Sequence, residues 1–372
     1  MIPVNYVAAA RDHSGYGAAS RAYIDALSRS GEVDLSLQVC SFEAQKVSHG
    51  PIDKMVNELE ARRTPHKIQI IHLTPENYPL YRKKGKYNIA YTVWETDQLP
   101  PQWVEICNTM SEIWVPSQWN IDIFKSSGVT VPITCIPHII SVPDTTDVQP
   151  LEIATPSTFV FYSIFQWVAR KNGDSLLKAY LTEFAPEDNV VLALKTYRLN
   201  TSPQEQEAIK REILHIKSML RLEKYPPLLF FGNLMSHEHI AALHTRGDCY
   251  VAPSRAEGFG IPIAEAMSYK KPVIASNYSG NTDFTTEKNS YLINCDLTPV
   301  YGMIFKNYYG WMNWGAPSIQ HLKEQMRYVY THQEEARQTG KKGYQTIATE
   351  FNKQVIGKLM VDRLKQISGG KI

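Results

Sequence analysis

Two series of short apolar runs alternating with helical stretches, divided by a proline-broken segment, constrain this chain more than any other feature. Apolar runs at 3–9, 35–42, 68–73, 89–93 and 113–115 read as strands, with helical periodicity between several of them. A second series is expected at 158–163, 190–195, 228–231, 249–252 and 272–275. Runs of this kind with intervening helices predict parallel sheets covered on both faces. Prolines 143, 150 and 156 destroy periodicity between 141 and 157. With 372 residues, too many for one ordinary core, the expected organisation is a Rossmann-like domain over 1–145, a linker over 146–157, and a second Rossmann-like domain over 158–345. The remainder, 346–372, is expected to carry a helix that can cross back to the first domain. Its apolar stripe reads Val355, Ile356, Leu359, Met360 and Leu364.

Composition excludes several classes. The formal net charge is +2, from 39 basic and 37 acidic residues, so no global field exists to hold a polyanion. That disfavours a nucleic-acid partner while leaving a local basic patch open. The five cysteines, 40, 107, 135, 249 and 295, are scattered without CxxC spacing, against a disulfide framework or zinc site. A reducing cytoplasmic compartment is expected. The N-terminal apolar stretch lacks a basic leader and contains Arg11 and Asp12. No run approaches the roughly 18 apolar residues of a spanning helix; peripheral contact with a membrane surface stays open.

The most informative string is PSRAEGFGIPIAEAMSYKKPVIAS, 253–276. A strand ends just before it, at the sheet edge where open α/β folds place ligands. Gly258 and Gly260 flank Phe259 and let backbone approach a ligand closely. Pro262 suits the first helical position, so a helix is expected to begin there and to offer its positive end to an anion such as a diphosphate. Glu257 precedes the turn and Glu265 lies three residues after Pro262. Two carboxylates beside a phosphate site make sense when the ligand also carries vicinal diols, as a nucleotide sugar does on both sugar and ribose. Taken singly, either glutamate reads as readily as a dipole-complementing or solvated charge.

This string resembles the E-x7-E signature of glycosyltransferase family 4, also called glycosyltransferase group 1. The resemblance implies a GT-B fold, in which two Rossmann-like domains face a central cleft. It also implies sugar transfer with retention of configuration and no catalytic metal. It would place Glu257 on the donor sugar's hydroxyls, Glu265 on the ribose diol and the N–H groups of 258–260 on the phosphates. FQWVARKNGDSLLKAY, 165–180, resembles the family's basic turn, where Lys171 and Arg170 would neutralise the departing diphosphate. A further arginine usual about six positions earlier is replaced here, at Phe165 and Gln166. Gly15 and Gly17 resemble the first domain's glycine loop; a plain turn explains them equally. TVWETDQLPPQWV, 92–104, resembles a bacterial and viral branch of the family, with Trp94 and Glu95 where many relatives carry a sugar-contacting histidine. Glu95 is a candidate sugar ligand or acceptor base and Trp94 a candidate sugar contact or core residue. His72 and His138 are further candidates, and each reads as readily as a structural histidine. Lys270 stands where the family usually has glycine.

The expected activity is therefore transfer of a hexose from a UDP- or GDP-sugar to an acceptor hydroxyl, with no cofactor required and no metal ligands. The catalytic candidates are Glu257, Lys171, Arg170 and Glu95. The acceptor is a glycan, a lipid-linked glycan or a protein, with a modified base in viral DNA as a minority option. A nucleotide-sugar epimerase or hydrolase would use the same donor site without an acceptor, and a non-catalytic sugar-binding subunit would keep the fold alone. The aromatic stretch KNYYGWMNWGAPS, 306–318, has no assigned role, and the sequence leaves the oligomeric state open.

Overall fold

The computed structural model describes residues 1–12, 14–41, 50–303 and 305–370. The chain divides into two compact units, Met1–Ile140 with Thr349–Ile372, and Ser141–Ala348. The first is built on β1 (Ile2–Ala8), β2 (Val33–Val39), β3 (Ile68–His72), β4 (Tyr87–Tyr91), β5 (Glu112–Val115) and β6 (Ile133–Cys135). All pair in parallel, in the order β2-β1-β3-β4-β5-β6. The strand expected over 35–42 runs earlier, and Phe42 lies outside the described residues. Helices α1 (Gly15–Arg29), α2 (Pro51–Ala61), α3 (Tyr78–Tyr81), α4 (Pro101–Cys107) and α5 (Gln118–Ser126) connect the strands. Val4, Tyr6, Val7 and Ala8 are all buried, because β1 lies inside a sheet covered on both faces.

The second unit repeats the plan with β7 (Phe159–Gln166), β8 (Val190–Tyr197), β9 (Leu228–Phe231), β10 (Cys249–Ala252), β11 (Val273–Ser276) and β12 (Tyr291–Ile293). These are parallel in the order β12-β11-β10-β7-β8-β9. Helices α6 (Gly173–Glu183), α7 (Pro203–Leu220), α8 (His237–Arg246), α9 (Ile261–Ser268), α10 (Ile319–Thr331) and α11 (Gln333–Glu350) follow. Leu176, Leu192, Leu194, Ile213, Leu322 and Met326 belong to one core beneath α6, α7 and α10. An antiparallel hairpin of β13 (Cys295–Pro299) and β14 (Asn313–Pro317) departs from the alternating rhythm and carries the aromatic stretch. There Tyr309 stacks on Trp311 and Trp314 is buried.

Three local expectations change. The proline-rich stretch read as a linker over 146–157 is packed within the second unit. Leu151 N donates to Ala242 O at 3.1 Å, Ile153 is buried, and Arg246 donates to the carbonyls of Ile153, Thr155 and Thr158. Proline breaks periodicity without preventing docking. Second, the Ser14–Gly17 stretch read as a turn contains the first turn of α1. The Ser14 hydroxyl accepts from Gly17 N and caps the helix. A Cβ on Gly17 would lie 2.2 Å from Asp12 O, so only glycine lets α1 start so close to the backbone leaving β1.

Third, α12 (Lys353–Gly369) presents a face different from the expected stripe. Ile356, Met360, Val361, Leu364 and Ile367 are buried, whereas Val355 and Leu359 are exposed. The burying face is set by α1, where Ala26 Cβ lies 3.3 Å from the position of a Cβ on Gly357. A charged contact fixes the helix further. Arg363 donates bidentately to Glu112 at 2.8 and 2.7 Å, and Tyr87, Trp114 and Thr134 also donate to that buried carboxylate.

Candidate active site

In an open α/β sheet, ligands collect beyond the carboxyl ends of strands where the winding direction reverses. In the second unit that point lies between β7 and β10. The chain leaves β7 through a short 3-10 turn, Ala169–Lys171, and Asn172 (φ 58°) then turns it into α6. Asparagine is among the few residues other than glycine that tolerate this left-handed conformation. The Asn172 amide donates to Pro253 O at 2.9 Å and Arg255 N donates to Arg170 O at 2.7 Å, stitching the turn to the segment after β10.

This stitching brings Arg170, Lys171 and Glu257 together. Lys171 Nζ donates to both carboxylate oxygens of Glu257, at 2.5 and 2.7 Å, and Arg170 Nη1 reaches Oε2 at 3.3 Å. Arg170 Nη1 also donates to Ala256 O at 2.8 Å. Glu257 is 6% exposed. Burial raises its carboxyl, but the charges of Lys171 and Arg170, with hydrogen bonds from Lys171 and Ser254, outweigh burial and hold it below the usual range. Its backbone is fixed from both ends: Glu257 N donates to Ser279 Oγ at 2.7 Å and Gly280 N to Glu257 O at 2.8 Å. Ser163, Ile164, Phe165, Tyr250 and Ser254 line a pocket with Lys171 and Glu257.

Gly258, Phe259 and Gly260 are buried, and Phe259 packs on Phe284. Gly260 adopts φ 98° as it enters α9, a conformation open to glycine. The helix starts at Ile261, one residue ahead of the position expected from Pro262. Glu265 lies on α9 with an exposed edge. Crowding by surrounding protein pushes its carboxyl up to about 7, a push that water along that edge tempers. Its carboxylate has no side-chain partner among the described residues.

The remaining candidates belong to the first unit, which has its own reversal point between β1 and β3. His72 ends β3, is 1% exposed and meets the Tyr6 hydroxyl at 2.9 Å through Nδ1. The rings of Tyr91, Tyr16 and Tyr23 pack on it at centroid distances of 4.4, 5.5 and 5.7 Å. His138 Nδ1 lies 3.0 Å from Tyr23 OH, which lies 2.6 Å from Tyr91 OH. Burial drives His72 well below its ordinary value and His138 down to about 3, so both are neutral. Trp94 is core: it is buried, packs edge-on against Trp103, and directs its indole N–H at Thr96 Oγ1 and Gln98 O, both at 2.6 Å. That leaves no face for stacking a sugar. Glu95 is half-buried and near Tyr16, whose phenol burial and then the Glu95 charge hold upward. Gly15 is exposed, with open space where a Cβ would stand.

Sequence reasoning missed Ser163, Ser254, Ser279 and the tyrosines around His72. Their roles arise from strand pairing, and only Ser254, inside the signature string, carried a local signal. No group of three or more metal-ligating side chains occurs among the described residues. No helix among them is long and apolar enough to cross a membrane.

Residues 165–346 match the family model described as glycosyl transferases group 1. None of the curated proteins compared with the chain matches it. Solved structures resemble it along its whole length. Sucrose-phosphate synthase from Thermosynechococcus elongatus superposes with a TM-score of 0.71 at 14% identity, covering 100% of both chains. Anabaena Alr3699/HepE, in complex with UDP and glucose, gives 0.67 at 13% identity over 98% of this chain and 100% of the other. The trehalose-6-phosphate synthase OtsA gives 0.68 at 11% identity, over 98% and 99%. The chain has the GT-B fold, with two Rossmann-like α/β units built on parallel sheets.

Proposed function

We propose that the protein is a retaining, metal-independent glycosyltransferase that moves a hexose from a nucleoside-diphosphate sugar to an acceptor hydroxyl. The observation that carries this reading is the Lys171–Glu257–Arg170 cluster at the reversal point of the second sheet, inside the segment that matches group 1 glycosyl transferases. The cluster combines the two things the reaction requires. Two half-buried cations can follow charge onto a departing diphosphate, and a fixed carboxylate can accept hydrogen bonds from sugar hydroxyls. Glu265, beyond Gly260 on α9, would take the ribose diol, and the 258–260 turn would meet the phosphates.

In the reaction the bond from C1 to the diphosphate oxygen breaks and a bond from the acceptor oxygen to C1 forms on the same face. The electron pair leaves with the diphosphate, whose charge Lys171 and Arg170 offset. The acceptor's proton passes to the departing phosphate, so no protein nucleophile enters. The complexes of the similar Anabaena protein with UDP make UDP-hexoses the first donors to test, with GDP-sugars beside them. In this reading the acceptor is a hydroxyl of a glycan, a lipid-linked glycan or a protein.

The test is a thermal-shift and calorimetric screen with UDP, GDP and their hexose conjugates. One nucleotide should raise the melting temperature selectively. Glu257→Ala should still bind the free diphosphate and lose most of the added affinity of its hexose conjugate. A folded protein that responds to none of these nucleotides would overturn the assignment.

A further inference from the structure

Alternation along β8 sends Leu192 and Leu194 into the core beneath α6, α7 and α10. Lys195 therefore lies on the opposite face of the sheet. Its register partner on β7 is Ile164 and on β9 is Phe231. Ile164 lines the pocket that holds Lys171 and Glu257, and Tyr250, another wall of that pocket, donates its hydroxyl to Ile164 O at 2.9 Å. Lys195 thus stands one strand away from the pocket wall, at its level and on its side.

Its surroundings are unusual for a lysine. It is 6% exposed, and no carboxylate or hydrogen-bond acceptor among the described residues meets its ammonium. Its Nζ lies over the Tyr197 ring, 5.8 Å from the centroid. Burial pushes its pKa down with no acidic group to oppose the shift. Lys171 and Arg170 differ, since both already face the Glu257 carboxylate. The stem is enclosed while Nζ keeps its contact with solvent, so the ammonium is open to a ligand and has no fixed counter-charge in the protein. The protein gives this cation no anion of its own, which leaves it available to one carried by a ligand.

We propose that Lys195 is a further phosphate-binding residue of the second unit's site, donating to the diphosphate of the nucleotide-sugar donor from the β8 side. This rests on the donor-site reading above and names a contact that the signature motifs do not contain. In the free protein the cluster at Glu257 is already neutralised in part, whereas Lys195 brings a positive charge without one. The diphosphate would be held between the two.

The test compares wild type, Lys195→Met and Lys195→Arg by titration with UDP, UMP and uridine, and with GDP, GMP and guanosine in parallel. Lys195→Met should weaken binding of the preferred diphosphate by about 10-fold to 100-fold, the range for a lost hydrogen bond to a charged group. It should leave nucleoside binding unchanged. Lys195→Arg should retain most of the diphosphate affinity. Unchanged diphosphate affinity in Lys195→Met would overturn the proposal while leaving the donor site standing. An equal loss for nucleoside would also overturn it, in favour of a contact to the base. Failure of the wild type to bind any of these ligands would remove the donor-site reading and this contact with it.

Discussion

The two units place opposite chemistry at the same architectural position. At the reversal point of the second sheet, Lys171 and Arg170 form a charged cluster around the buried Glu257 carboxylate, with Lys195 on the neighbouring strand. At the reversal point of the first sheet, His72, His138, Tyr6, Tyr23 and Tyr91 form a buried network without formal charge, since burial holds both histidines neutral and the tyrosines protonated. A doubly wound sheet therefore specifies where a site is built and leaves its electrostatics to a few side chains. The charged version suits an anionic leaving group. The neutral version spends its hydrogen bonds internally and has no charge to set against a phosphate.

The largest expected effect separates the two regions by rate. With the donor found by screening, Lys171→Ala should lower kcat by about 10²- to 10³-fold, the range seen when one donor to developing charge is removed. His138→Gln should change kcat far less, because a neutral, enclosed group carries no charge to offset. A His138→Gln loss as large as that of Lys171→Ala would break the division of labour drawn here.

A second contrast is in stability. The Tyr23 hydroxyl lies within 3.0 Å of Pro137 O, Tyr91 OH and His138 Nδ1. Tyr23→Phe leaves these buried groups short of a partner and should cost about 1–3 kcal/mol of stability, measured by denaturant unfolding. Nucleotide affinity should stay as in wild type. A Tyr23→Phe variant as stable as wild type would mean that the network is satisfied without this hydroxyl and is no structural unit.

The sequence exposed these two regions unequally. Strand existence was readable where a buried strand is a continuous apolar run, as in the segments that became β1, β3, β8 and β10. It was not readable for β6, which is three residues long and half-buried, or for the β13–β14 hairpin, whose first strand is polar and largely exposed. The charged cluster was suggested by local strings, because Lys171 and Glu257 each stand beside a turn that marks them. The neutral network left no string, since its members come from β1, α1, β3, β4 and the segment after β6 and meet only through pairing, as at Ala8↔His72 and His72↔Tyr91. Lys195 was hidden for the same reason. Lys270 has a physical reading after the fact: its φ of 60° is the left-handed conformation that follows a helix end, where glycine is the usual choice.

The smallest effect concerns Glu265 and can be read as a pH dependence. Its carboxyl is pushed up to about 7, so the folded protein holds a proton there that the unfolded chain releases at ordinary carboxylate pH. The sign for stability follows: the protonated carboxyl favours the fold at low pH, and that contribution fades as pH rises from the ordinary carboxylate range through about 7. In the proposed donor site nucleotide binding should run the other way, because a ribose diol would donate its hydrogen bonds best to the ionised form. Affinity for the selected nucleotide should weaken as pH falls through 7, by at most about 10-fold per pH unit below it. Glu265→Gln should bind more weakly at pH 8 and lose most of that pH dependence. A wild-type affinity that is level from pH 8 to pH 6 would mean that water at the exposed edge keeps Glu265 ionised throughout. The charged region would then match the neutral one in having no group that titrates near neutrality.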